Sequence, residues 1–149
     1  MAFELFAVGD IHLGRTPQGL PAGFEPERFS PRAAWREAVE EALRRKVDAV
    51  VLLGDVVDHD RNFLEAYSPL KQGVEKLLAA GIRVVAVVGN HDVEVLPRLA
   101  REIAGLRLIG AGGAWEELEL SGRDQTTLRL VGWSFPRARV TEDPVASLP

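Results

Sequence analysis

Polar side chains that can bind metal ions occur in three short groups along this chain. The groups are Gly9-Asp10-Ile11-His12, Gly54-Asp55-Val56-Val57-Asp58 and Gly89-Asn90-His91-Asp92. Carboxylate and amide oxygens and imidazole nitrogens are ligands for hard and borderline divalent cations. The chain contains no cysteine, so a metal site must use these oxygen and nitrogen ligands. We therefore expect metal-dependent chemistry where the three groups meet.

Each group directly follows an apolar stretch that predicts a strand. The stretches are Leu5-Phe6-Ala7-Val8, Val50-Val51-Leu52-Leu53 and Val84-Val85-Ala86-Val87-Val88. Uninterrupted apolar runs are typical of parallel strands that are buried on both faces. In an open α/β sheet the ligand lies beyond the carboxyl ends of the strands. The pattern therefore predicts that the three polar groups converge at one edge of one sheet.

The rest of the chain alternates helices with strands. Ser30 is a predicted helix cap, with Pro31 at the first helical position, where a missing N–H does no harm. Gly81 is the predicted stop of the second helix. The predicted elements are a strand at 3–9, a helix after Ser30, a strand ending at Asp55, a helix at 64–80, a strand ending at Gly89, a helix at 93–104 and strands at 106–109, 115–120 and 126–133.

Length and composition predict one ordinary globular domain. The chain has 149 residues, of which 46% are hydrophobic and 27% are charged. No membrane-length apolar run or signal peptide is evident, which favours a cytoplasmic protein without a membrane partner. The net charge of −4 gives no global attraction to nucleic acid. A polyanionic substrate would therefore need metal ions or a local basic patch.

The first two groups offer carboxylates to cations. Asp10 and His12 are alternate residues beyond a strand, so both side chains can reach one cation. Asp55 follows a buried strand, where an unpaired carboxylate is costly, and its two oxygens can bridge two cations roughly 3.5–4 Å apart. Asp58 is expected to orient a neighbouring ligand through a hydrogen bond. The alternative is a pair of polar turns, with acidic residues such as Asp60 capping the following helix.

The third group is the most specific of the three. The amide oxygen of Asn90 can bind a cation without adding charge to a carboxylate-rich site. His91 can donate a proton or a hydrogen bond to a phosphate oxygen, and Asp92 is expected to pair with that imidazole. The alternative is again a polar turn, in which Asn90 tolerates left-handed geometry.

The order D-x-H, G-D-x-x-D and G-N-H-D resembles the calcineurin-like metallophosphoesterase superfamily. The match is closest to the nuclease subunit of bacterial SbcCD-type DNA-repair exonucleases, and the segments 131–136 and 140–142 also resemble exonuclease-like members. The resemblance implies an α/β fold, the N-terminal part of a metallophosphoesterase α/β/β/α sandwich. Its first sheet would be mixed but largely parallel, with flanking helices.

The same resemblance implies roles for individual residues. Asp10 and His12 match ligands of a first metal ion, Asp55 a carboxylate bridging two ions, and Asn90 a ligand of the second. His91 matches the catalytic histidine, with Asp92 as its partner and Asp58 beside them. The implied cofactors are two divalent ions, most often Mn²⁺. Phosphoprotein phosphatases of the superfamily carry other residues at the positions of His59 and Asp92, which counts against that activity.

The implied function is that of a metal-dependent phosphodiesterase, specifically a DNA-repair exonuclease. The implied partners are DNA and an SbcC-like ATPase. A second copy of the chain is a further expected partner, because an incomplete domain exposes sheet edges and core surface. Two alternatives stay open, namely a small-molecule phosphodiesterase or phosphatase of the same superfamily and a non-catalytic interaction module.

The family normally continues with a further histidine and a G-H-x-H motif, which supply three more metal ligands. No histidine follows His91 in this sequence. We therefore expect one domain at 1–149 that is incomplete at its C-terminus, with a second metal site that is also incomplete. Weak metal loading and little activity are expected of this chain alone.

Direct support for nucleic-acid binding in the sequence is modest. Arg15 and the Arg61-Asn62 pair lie next to the predicted centre, and Arg137 and Arg139 are predicted near its rim. Such side chains can hold backbone phosphates. The sequence shows no evident aromatic platform on which bases would stack, so DNA as substrate follows from the resemblance.

Overall fold

The computed structural model of the protein describes residues 2–149. Three short 3₁₀ helices occupy Pro26–Phe29, Ala111–Gly113 and Pro144–Ser147. Among the described helices, none is both long enough and apolar enough to cross a membrane. The strands are β1 (Leu5–Val8), β2 (Ala49–Leu53), β3 (Arg83–Val87), β4 (Leu106–Leu108), β5 (Glu116–Ser121) and β6 (Thr127–Gly132), and the α-helices are α1 (Pro31–Arg45), α2 (Phe63–Ala79) and α3 (Val95–Glu102).

The strands form two separate sheets. β1, β2, β3 and β4 lie side by side in chain order, and all three pairings are parallel. β5 and β6 form an antiparallel hairpin. The predicted α/β fold is confirmed, but the expectation of a mixed first sheet is corrected. Helical crossovers return each of the first four strands in the same direction, whereas the short turn after β5 can only reverse the chain.

Helices α1 and α2 form as the sequence predicts. The Ser30 side chain accepts a hydrogen bond from the Ala33 N–H at 3.1 Å, and Pro31 begins α1. Pro69 lies inside α2 without ending it, and its carbonyl oxygen accepts a hydrogen bond from the indole of Trp35 at 2.9 Å. A side chain at Gly73 would overlap the same indole, so the glycine lets the two helices pack closely.

The parallel sheet separates two apolar cores. All three α-helices pack on one face, where Trp35, Leu52 and Leu99 are buried. The β5–β6 hairpin packs on the other face, where Val51 and Leu120 are buried. The apolar faces of the helices therefore cover the sheet, as their amphipathic periodicity predicts.

The expectation that all three predicted strands are buried on both faces is wrong for β1. Leu5 is 41% exposed, and Leu53 at the end of β2 is 57% exposed. β1 is the edge strand, and the hairpin covers the β2–β3 side of the second face without reaching these residues. An apolar run in the sequence shows which residues favour burial, but it cannot show which neighbour covers them.

Asp48 joins distant parts of the fold just before β2. Its Oδ2 accepts a hydrogen bond from the Glu4 N–H at 2.9 Å. Its Oδ1 accepts from the Arg123 N–H at 3.0 Å and from Arg123 Nε at 3.3 Å. The hydrogen bond from the Glu4 N–H has the largest effect in holding the pKa of Asp48 below its usual value, and the Arg123 groups lower it further. Burial opposes this shift. Asp48 thereby connects the start of β1 to the β5–β6 turn.

We expect Asp48→Asn to lower the free energy of unfolding by about 1–2 kcal/mol near neutral pH, because hydrogen bonds to a charged acceptor are the stronger ones. A lowered folded-state pKa means that this stabilisation is present above the unfolded-state pKa of about 3.9 and is lost as the pH falls through the folded-state value. Urea unfolding of both proteins at neutral and acidic pH measures the difference. A difference that does not shrink below about pH 4 would contradict the assignment.

Candidate metal centre

Backbone hydrogen bonds hold the first two polar groups side by side beyond the carboxyl ends of β1 and β2. Leu13 and Val57 form an isolated parallel bridge, which extends the pairing of the two strands into their loops. The predicted ligands are therefore positioned by regular backbone pairing. The bonds run from the N–H of Asp10 to Gly54 O at 3.2 Å, of His12 to Asp55 O at 2.9 Å, of Leu13 to Val56 O at 2.8 Å and of Asp58 to Leu13 O at 3.0 Å.

Three predicted metal ligands have left-handed backbone conformations. The φ angles are 53° at Asp10, 55° at His12 and 50° at Asp55. Side chains disfavour this region, and residues held there concentrate at functional sites. Only two other non-glycine residues among those described have positive φ, namely Lys46 and Gln125. The strained positions thus coincide with the positions where ligand side chains must point to a common centre.

We expect Asp10→Gly to be more stable than Asp10→Ala by about 1 kcal/mol, because glycine adopts a positive φ without steric cost. The Asp10 side chain is 82% exposed, so neither change removes much packing. Both variants should lose affinity for Mn²⁺, which would separate stability from ligand function. Urea unfolding in a chelator, followed by metal titration, measures both quantities. Equal stability of the two variants would show that the backbone at residue 10 is not strained.

The loops bring the side chains into two overlapping groups of ligand atoms. Atoms of Asp10, His12 and Asp55 lie within 4.8 Å of one another, and so do atoms of His12, Asp58 and His91. His12 belongs to both groups. Carboxylate oxygens with imidazole nitrogens suit a divalent cation such as Mn²⁺ or Zn²⁺. The first group is the one that the sequence predicts, and the second is a set that sequence reasoning did not assemble.

Asp58 lies beside His12, but the orienting hydrogen bond that the sequence predicts is not formed. Asp58 Oδ1 is 3.2 Å from His12 Nδ1, while Asp10 Oδ1 is 3.7 Å from His12 Nε2. The angles at Nδ1 do not meet those of a hydrogen bond, so this buried nitrogen has no hydrogen-bond partner among the described residues. An imidazole with a carboxylate beside each ring nitrogen, one of them buried without a hydrogen-bond partner, fits a centre that a cation completes.

His91 is held by two contacts from the second loop. Its Nδ1 lies 2.9 Å from the backbone oxygen of Asp58, and its N–H donates to Asp55 Oδ1 at 3.0 Å. The ring centroid is 5.0 Å from that of His12 and 5.8 Å from that of the exposed His59. With Nδ1 engaged by a carbonyl oxygen, Nε2 is the ring atom left for another partner.

The expected pairing of Asp92 with the His91 imidazole is corrected by the structure. The Asp92 carboxylate is fully buried and accepts hydrogen bonds from the backbone N–H groups of Gly89 at 2.8 Å, Val56 at 2.7 Å and Val57 at 3.3 Å. Burial raises the pKa of Asp92, and the three donors oppose that shift. A carboxylate beneath the loop meets the nearest unpaired donors, which here belong to the backbone. Asp92 therefore connects the third group to the second.

Glycines let the second and third groups touch. A side chain at Gly54, where φ is +87°, would lie 2.8 Å from the Gly89 nitrogen. A side chain at Gly89 would overlap the Asp55 carboxylate. Both positions therefore require glycine for close approach. The predicted ligand Asn90 lies in the exposed turn that follows Gly89.

Two further contacts that the sequence did not predict brace this edge of the sheet. Asp60 Oδ1 accepts from the N–H groups of Glu94 and Val95, both at 2.9 Å, so it caps α3 and not the following helix α2. The buried Ser134 hydroxyl accepts from the Val88 N–H at 2.9 Å and donates to the Ile109 oxygen. The general rule that aspartate caps helices holds for Asp60, but only the folded chain shows which helix it reaches.

Comparison with known proteins places this geometry in a family. The calcineurin-like phosphoesterase model matches residues 3–142. A DNA double-strand break repair protein Mre11 from Aeropyrum pernix is 36% identical over 89 residues, which are 60% of this chain and 21% of that protein. The Mre11 protein of Methanopyrus kandleri is 29% identical over 142 residues, 95% of this chain and 30% of that protein.

A bacterial metallophosphoesterase and a solved phosphatase structure are also similar to this chain. An uncharacterized metallophosphoesterase YhaO of Bacillus subtilis is 34% identical over 87 residues, 56% of this chain and 21% of that protein. A solved dimetal phosphatase from Danio rerio aligns with a TM-score of 0.43 at 22% identity, over 66% of this chain and 33% of that one. The chain spans about a fifth to a third of the length of the curated relatives described above. Since the family model extends over nearly the whole chain, this protein belongs to the calcineurin-like phosphoesterase family.

Proposed function

We propose that this protein is a metal-dependent phosphodiesterase that hydrolyses DNA as an exonuclease. The observation that carries the proposal is the group of ligand atoms from Asp10, His12 and Asp55, which lie within 4.8 Å of one another beyond β1 and β2, with Asp58 and His91 beside them. Two of its relatives are named as DNA double-strand break repair proteins, which supports DNA over a small phosphodiester. We propose Mn²⁺ as the metal, since the oxygen and imidazole ligands suit it.

The proposed ligands are Asp10, His12, Asp55 and Asn90. Divalent ions in such sites stabilise charge on phosphate oxygens and make water a stronger nucleophile. Asp58 places a negative charge beside the His12 ring, 3.2 Å from Nδ1. Its backbone oxygen also engages His91 Nδ1, so in the imidazolium form Nε2 carries the proton that would pass to the leaving oxygen of the cleaved ester, which leaves the ring neutral.

Asp92 acts in this proposal as a positioning residue. It binds the N–H groups on both sides of the gap between the second and third loops, and so fixes where His91 lies. We further propose that an SbcC-like ATPase or a second copy of this chain contacts the protein in the cell. The exposed Leu5 and Leu53 side chains on the uncovered face of the sheet support a protein contact there.

A nuclease assay with the full chain tests the proposed function. With Mn²⁺, end-labelled DNA should shorten from its ends at the low rate expected of a chain with an incomplete second site, bis(p-nitrophenyl) phosphate should react still more slowly, and chelation should stop both reactions. His91→Asn should reduce the rate by about 10²- to 10⁴-fold, the range for loss of a general acid. His59→Asn is the matched control, because His59 is exposed and lies outside both ligand groups.

Other outcomes would redirect the assignment. Hydrolysis of the small diester without DNA cleavage would favour a small-molecule phosphodiesterase. Metal binding without hydrolysis of either substrate would favour an interaction module. DNA cleavage that survives His91→Asn unchanged would contradict the proposed role of this histidine.

A further inference from the structure

Connected depressions lead away from the candidate metal centre across the loop before α1 and onto the α1–α2 surface. The first has a volume of about 600 Å³ and is lined by Asp58, Arg61 and Arg15. A second shares Arg15 with the first, and two more share Arg32 with the second. We call this set of four neighbouring depressions the basic track. It begins at a residue of the proposed centre and ends between α1 and α2.

The basic track is cationic although the whole chain is acidic. It is lined by six of the 18 lysines and arginines but by three of the 22 acidic residues. Among the described residues, its five arginines form no ion pair, whereas Lys76 is paired with Glu40 at 3.0 Å. The basic residues are Arg15, Arg28, Arg32, Arg36, Arg61 and Lys76, and the acidic ones are Glu27, Asp58 and Glu65.

The arginines on α1 cost stability where they stand. Arg32 and Arg36 are four residues apart on one helix, a spacing at which like charges repel each other. Both side chains line the depression between α1 and α2. A guanidinium fork binds phosphate oxygens in two-point contacts, and an anionic ligand would remove the repulsion. The surface therefore matches a ligand with several phosphate groups.

Two exposed phenylalanines lie at the start of the basic track. Phe24 is 50% exposed and Phe29 is 53% exposed, and their ring centroids are 5.4 Å apart. Phe29 also lines the first depression, beside Arg15 and Arg61. No pattern in the sequence indicated an aromatic platform here, because these residues lie in a segment without periodicity. The short 3₁₀ helix Pro26–Phe29 is the element that presents Phe29 at the surface.

We propose that the basic track binds single-stranded nucleic acid, with phosphates on Arg15, Arg61 and Arg32 and a base stacked on Phe29. This inference rests on the proposed phosphodiesterase function, because a strand bound along the basic track would lead into the metal centre where it is cleaved. A cationic groove combined with an exposed aromatic ring is the usual arrangement for single strands. An acidic peptide would use the charges but not the ring. A duplex keeps its base faces stacked and cannot use the ring either.

Fluorescence anisotropy of a labelled single-stranded oligonucleotide tests the basic track without hydrolysis when a chelator is present. Phe29→Ala should weaken binding by roughly 5- to 150-fold, the range for one stacked base, with an unchanged salt dependence. The double variant Arg32→Ala/Arg36→Ala should instead lower the slope of log affinity against log salt by roughly 0.7 for each lost phosphate contact. The change in salt dependence therefore distinguishes the loss of a phosphate contact from the loss of base stacking.

Matched controls use residues outside the basic track. Arg83→Ala/Arg101→Ala removes two exposed arginines, and Leu148→Ala removes an exposed apolar side chain, so both should bind like the original chain. An equal loss in these controls would overturn the proposal. Equal competition by polyglutamate or by duplex DNA would overturn it as well. Because no step requires hydrolysis, loss of binding here and loss of nuclease activity in the metal assay are separate results.

Discussion

Replacing Asp92 by alanine should destabilise the protein by about 3–5 kcal/mol. The change leaves the buried N–H groups of Gly89, Val56 and Val57 without an acceptor. Each unsatisfied buried donor costs about 1–3 kcal/mol, and a domain of this size has only about 5–15 kcal/mol in total. Urea unfolding in the presence of a chelator measures the effect apart from metal binding.

Asp92→Asn provides the graded control. The amide keeps one oxygen acceptor and the same shape, but its NH₂ group cannot accept from the remaining N–H groups. We therefore expect stability between that of Asp92→Ala and the original chain. Faster hydrogen exchange at the Val56 and Gly89 amides should accompany the loss. If Asp92→Ala were as stable as Asp10→Ala, Asp92 would not be the connection between the second and third loops.

Replacing Asp55 by asparagine should remove most of the affinity for metal ions without unfolding the chain. The Asn side chain still offers an oxygen to the His91 N–H, which Asp55 Oδ1 accepts at 3.0 Å. It loses the negative charge that the proposed ligand group presents to a cation. We expect an increase in Kd for Mn²⁺ of at least about 100-fold, which corresponds to about 2.7 kcal/mol. Calorimetric titration and the rise in Tm on adding Mn²⁺ measure this change.

Glu94→Gln is the control for Asp55→Asn, since it removes one exposed carboxylate outside both ligand groups. It should bind Mn²⁺ like the original chain. The original chain should itself show weak, incomplete loading, because the second proposed site has only Asp55 and Asn90 as ligands. Two tight sites in the calorimeter would contradict that expectation. An unchanged Kd in Asp55→Asn would remove Asp55 from the proposed ligands.

Much of the fold follows from local patterns in the sequence. Ser30 and Pro31 predict the start of α1, and the apolar runs before Asp55 and Asn90 predict the strands β2 and β3. Capping, proline geometry and hydrophobic periodicity act within a few residues, so they can be recognised without the folded structure. The same short range explains the errors in the bounds of elements, which fray where tertiary contacts decide their last residues.

The convergence of the three polar groups was also predictable, because parallel strands place their carboxyl ends at one edge. The pairing of side chains within that edge was not. Asp92 binds backbone groups 35 and 36 residues away, and Asp60 caps a helix that begins 35 residues later. Contacts over such separations depend on the relative placement of loops, which no local pattern encodes.

By itself, the sequence determined which residues can bind a cation and that their strand ends would meet. The tertiary structure decided that His12 lies in both ligand groups and that Asp92 supports the loops beneath His91. It also decided that Phe29 faces solvent next to Arg15. Residue type determines which contacts a side chain can make, whereas the packing of distant elements determines which partner is within reach.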